Sequence, residues 1–148
     1  MQHQPWTSGP AEILQHGLDL LQTDSDKNRR LAFLSIDNAV ELMLNTYLTL
    51  PKRITGLEIK KKDLDEFRRT FPGLLNAVEM YAADTLSGLD LGEIEWYHGK
   101  RNQLYHEGNG LTIERSKVQI YASLARILLK NLFGLDVEDE DRSVPHRN

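Results

Sequence analysis

Apolar residues along this chain recur at helical spacing almost from end to end, and no segment alternates as a half-buried strand would. That periodicity most constrains the fold, because a chain patterned only for helices must bury its apolar stripes helix against helix. Ile13, Leu14, Leu18 and Leu21 form the first stripe, behind Pro10, which suits a first helical turn. "TDSD" then offers capping side chains for a second helix expected from Asp26 to Leu50, which stops before Pro51. "KRITGLEIKKK" reads as a basic exposed loop. Asp63 and Glu66 resemble a capping box that opens a third helix, interrupted by "FPG" at 71–73 and continued by Leu74, Leu75, Val78 and Met80 to about Thr85. "LSGLDLG" is a loop. A fourth helix is expected from Leu91 to Glu107, stopped at Gly108, and "GNG" at 108–110 reads as that helix stop rather than as a phosphate loop. A fifth runs from Thr112 to Phe133 with Ile120, Leu124, Ile127 and Leu128 as its apolar face, and ends at Gly134. The expected architecture is an all-α bundle of four to five helices over residues 10–133, followed by an acidic, disordered tail over 134–148.

The second helix is unusual. Ala32, Ile36, Ala39, Val40, Met43, Tyr47 and Leu50 fall on one side, and Leu31, Leu34 and Leu42 widen that surface beyond a single stripe. A helix apolar on most sides is central or lies at an oligomer interface. Yet Asp37, Asn38, Glu41 and Asn45 run along it as a narrow polar seam. Two readings of the seam are open: it is the solvent edge of the helix, or Asp37 or Glu41 points into a polar pocket and pairs with a cation.

Composition narrows the function classes. A chain of 148 residues suits one domain that needs no staple. The absence of cysteine removes disulfides, thiol nucleophiles and thiolate metal sites, and fits a cytoplasmic setting. No secretory leader is evident, and the longest apolar stretch is broken by Asp37, Asn38 and Glu41, so no membrane span is expected. A net charge of −4 gives no general nucleic-acid affinity, so any RNA contact must be local. The clustered basic residues at 29–30, 52–53, 60–62 and 68–69 read as solvated faces and loops.

The segment "HGKRNQLYHEGNG" at 98–110 carries the chemistry. Asn102 and His106 are an i, i+4 pair, as are Arg101 and Tyr105, while Arg101 and His106 lie ~140° apart around a helix. RNA cutting needs a proton taken from a 2′-hydroxyl and charge held on phosphate oxygens. A histidine titrates near ~6.5 and can do the first, and a guanidinium fork can do the second. Asn102 can orient His106 or bond a phosphate oxygen, and Tyr105 can stack on a base. At a helix C-terminus the dipole favours positive charge, which suits His106 as an acid or electrostatic clamp. The bland alternative is that this histidine merely satisfies the helix end. His98 reads as a surface histidine, and Trp6 and Trp96 as packing residues. His98, His106 and Glu41 lack metal-ligand spacing, so no metal and no cofactor is expected.

Arg101-Asn102-Gln103-Leu104-Tyr105-His106 resembles the Arg-x4–6-His motif of the HEPN superfamily, and its place on the penultimate long helix is similar. "LAFLSIDNAVELMLNTYL" looks like that family's long early helix. The resemblance covers residues 10–133 and implies a small all-α domain that acts as a metal-independent endoribonuclease, often within toxin–antitoxin or defence systems. It implies a homodimer whose motif helices meet at one cleft, with a cognate antitoxin as a possible partner. It assigns Arg101 to the phosphate, His106 to proton transfer, Asn102 to support of either, and Asp37 or Glu41 to the helix-two partner. Non-catalytic members of the family bind RNA, a nucleotide or a protein instead.

Overall fold

The computed structural model describes residues 4–107 and 112–137, apart from the side chain of Glu107. Among these the secondary structure is helical, with no strand: α1 Ser8–Leu20, α2 Asp26–Thr49, α3 Lys52–Thr55, α4 Lys61–Phe67, α5 Phe71–Tyr81, a 3-10 turn Ala83–Leu86, α6 Leu91–Glu107 and α7 Arg115–Phe133. The stop at 108–110 and the tail over 138–148 lie outside the described residues.

α2 is the axis of the fold. Ser25 caps it by accepting from the Asn28 amide. Its contacts run to α1, α5, α6 and α7. The stripe Phe33, Asp37, Val40 and Leu44 is buried, as are Ala32, Ile36, Ala39 and Met43. Leu31, expected to widen this surface inward, is exposed instead. Gly17 lets α1 lie close on α2: a Cβ there would stand 3.1 Å from Ile36 Cγ1 and 3.3 Å from the Ala32 carbonyl oxygen.

The middle of the chain departs from expectation. The basic loop contains the single turn α3, closed by Gly56 in the left-handed region at φ 78°. The expected third helix is two helices. α4 starts at Lys61, before the supposed capping box, and "FPG" opens α5 rather than interrupting a helix. Thr70 caps α5 through the Gly73 amide at 3.0 Å. Residue 73 must be glycine, since a Cβ would meet the Phe67 carbonyl oxygen at 2.3 Å.

α7 turns inward only part of the face expected: Leu128 is buried and Leu124 packs partly buried against the core. Val118, Tyr121, Ala122, Ala125, Leu128, Leu129 and Leu132 are buried, whereas Ile120 and Ile127 are exposed. The competing stripe wins because it carries Tyr121 onto the aromatic and polar groups of α2 and α6. Beyond Gly134, Leu135 and Val137 are buried and Asp136 pairs with Arg126 at 3.0 Å, so the folded unit runs past 133 to at least 137.

Candidate functional site

Ile94, Tyr97 and Leu104 of α6 are buried at helical spacing, and Tyr97 packs on Phe33 of α2. The same inward side carries His98 and Arg101, an i, i+3 pair. Both reach the Asp37 carboxylate, which is completely buried in the middle of α2.

Asp37 takes three partners. The Tyr121 hydroxyl donates to Oδ1 at 2.6 Å. His98 Nδ1 lies 3.0 Å from Oδ2 and 3.2 Å from Oδ1. Nδ1 is thus the ring nitrogen that faces the carboxylate. Arg101 Nε stands 3.3 Å from Oδ2. That Nε is buried and meets no acceptor with hydrogen-bond geometry, so its link to Asp37 is charge attraction rather than a directed bond.

Aromatic rings wall this cluster. Phe71, at the first turn of α5, stacks flat on His98 with ring centroids 3.9 Å apart and planes at 5°. Tyr97 stacks on Tyr121 at 4.8 Å and 12°, and Phe33 packs against both. Burial, then the Asp37 charge and the hydrogen bond to it, hold the Tyr121 phenol well above the ordinary tyrosine value.

The outer half of Arg101 turns toward the surface. Nη1 donates to Asn102 Oδ1 at 3.2 Å and Nη2 to Asn38 Oδ1 at 3.4 Å. Its guanidinium carbon sits 4.5 Å from the centre of the exposed Tyr105 ring. His106 is exposed near the end of α6, with Tyr105 beside it at 6.3 Å between ring centroids. Among the described residues, nothing bonds the His106 ring to Arg101 or Asp37.

The structure thus brings Asp37, Asn38, Arg101, Asn102 and Tyr105 together, and His106 meets this group only edge-on at Tyr105 among the described residues. Of the two readings of the polar seam, the cation pocket holds for Asp37 and the solvent edge for Glu41. Glu41 lines a surface groove of about 690 Å³ with Asn38, Asn45, Arg68 and Arg69. His98 corrects the sequence reading: its side chain is 14% exposed and is fixed on Asp37. Its i, i+3 spacing from Arg101 was the available signal. Trp96 is also corrected. It is exposed rather than packed inside, with the ammonium groups of Lys100 and Lys117 at 5.1 Å and 5.8 Å from its ring.

Among the described residues no three histidine, aspartate or glutamate side chains gather as metal ligands, and no helix is long and apolar enough to cross a membrane. No protein-family model, curated protein or solved structure matches the chain.

Proposed function

We propose that this protein is a metal-independent endoribonuclease of the HEPN type, in which Arg101 holds the scissile phosphate and His106 transfers the proton. The observation that carries this reading is the burial of Asp37 behind Arg101. A carboxylate in a core position costs several kcal/mol of desolvation, about what an apolar residue there would spare. Packing alone gives no reason to keep it. Spent on Arg101, it fixes a guanidinium whose Nη edges reach the surface between Asn38 and Asn102. A preorganised cation aimed outward is what a developing phosphate charge requires.

The chemistry proceeds as an in-line transfer. The 2′-oxygen attacks the adjacent phosphorus, its proton passes to a base, and the leaving 5′-oxygen takes a proton from an acid. One subunit supplies one exposed motif histidine. Two copies related by a two-fold axis, with their α6 helices facing one cleft, supply an acid, a base and two guanidinium clamps. Asn102 then supports the phosphate through the Arg101 contact, and Tyr105 stacks on an adjoining base. A toxin or defence role, held in check by a cognate antitoxin, follows from such an activity.

A second reading is a non-catalytic module that binds RNA, a nucleotide or a protein. The engagement of Arg101 by Asp37, Asn38 and Asn102 favours it, because that fork is already partly occupied. The test between them is cutting of single-stranded RNA in excess chelator, with the product ends analysed. The nuclease yields a 2′,3′-cyclic phosphate and a 5′-hydroxyl. RNA left intact under those conditions, with or without the chelator, overturns the reading.

A further inference from the structure

The groove beside Arg101 has a composition that the cutting chemistry does not use. It measures about 690 Å³, within the range of small-molecule pockets and large enough for one nucleotide. One wall is α2, where Asn38, Glu41 and Asn45 stand on one face at i, i+3 and i+7. The other is the end of α4, with Arg68 and Arg69. Arg68 Nε donates to Asn45 Oδ1 at 2.7 Å, which holds that guanidinium across the groove. The groove begins one hydrogen bond from the site, since Asn38 lines it and also accepts from Arg101 Nη2.

We propose that this groove binds the nucleotide next to the phosphate held by Arg101, in single-stranded RNA, and prefers guanine there. The inference rests on the ribonuclease reading and adds a base subsite to it. Arg68 and Arg69 take the flanking phosphate, as guanidinium groups do through paired donors. Glu41 gives the base preference. A carboxylate accepts two parallel hydrogen bonds, and guanine alone among the four bases presents two adjacent donors, N1–H and the N2 amino group, on its pairing edge. Asp65 also lines the groove, where Lys61 Nζ pairs with its carboxylate at 3.0 Å.

The experiment is binding of fluorescent 2′-O-methyl RNA oligonucleotides, which lack the attacking hydroxyl and so cannot be cut. A guanine-containing oligomer is compared with an all-uridine one across a salt series. Wild-type protein binds the guanine oligomer more tightly. Arg68→Gln with Arg69→Gln weakens binding of both by about tenfold or more and lowers the salt slope by about one. Glu41→Gln removes the guanine preference and does not weaken binding of the uridine oligomer. Thermal melts of the variants check the fold, which these exposed positions leave intact. Affinity unchanged in the double variant, a preference that survives Glu41→Gln, or no binding by wild type overturns the subsite. Binding is read apart from cutting: a protein that binds as described yet never cuts natural RNA keeps the groove and loses the nuclease.

Discussion

The Asp37 carboxylate, with no exposure to solvent, lies 3.3 Å from Nε of Arg101. The pair ties the centre of α2 to α6 and sets where the guanidinium emerges. Replacing Asp37 with alanine leaves a buried cation, a histidine and a phenol without their acceptor. The expected loss is about 3–5 kcal/mol in urea unfolding, with Asp37→Asn losing less because one acceptor oxygen remains. A loss under about 0.5 kcal/mol for alanine contradicts this account of the cluster.

Tyr121 gives a pH prediction. Its phenol is held well above the ordinary tyrosine value by burial and by Asp37, so the native protein keeps that proton where the unfolded chain releases it. Stability from this group is intact below about pH 10 and falls as pH rises past it. Tyr121→Phe costs about 1–3 kcal/mol near neutrality and flattens the alkaline loss. Tyr47 and Tyr97 are also raised by burial, so the difference between wild type and variant isolates Tyr121. Parallel alkaline slopes in melting temperature for the two proteins count against the argument.

Gly17 controls how closely α1 lies on α2, and Ile13 of α1 forms part of the groove. Gly17→Val forces its extra carbons against Ile36 and the Ala32 carbonyl. It is expected to cost about 1–3 kcal/mol, read as a melting temperature several degrees lower. An unchanged melt shows that the two helices separate freely.

Arg101→Lys tests whether the fork is required. A lysine offers one point charge and cannot face Asp37 while presenting two donors outward. Single-turnover cutting of RNA is expected to drop about a hundredfold or more, with the protein still folded. Wild-type rates in this variant remove the role of the guanidinium geometry.

Much of the fold was legible because helical period is a local signal. The starts of α2 and α6 match those read from capping residues and apolar spacing. The errors arose where two stripes compete on one helix. On α7, Ile120 and Ile127 look like core, but Tyr121 and Ala125 turn inward because a buried acceptor on α2 awaits the tyrosine. "FPG" reads as a break, yet a threonine before it makes it a helix start. At the site, Arg101 and Asp37 were visible as candidates from type and spacing. His98 was missed because its partners, Asp37 and Phe71, come from distant parts of the chain, and its i, i+3 spacing from Arg101 was the one local sign of it.

The most direct test of the central claim is the single-turnover rate of RNA cutting by His106→Ala beside wild type, in excess chelator, with melting curves for both. His106 is exposed and no hydrogen bond to its ring is seen among the described residues, so the variant melts as wild type does. The account predicts that its cutting falls by about 10² or more. Cutting by the variant at the wild-type rate would contradict it and take His106 out of the chemistry.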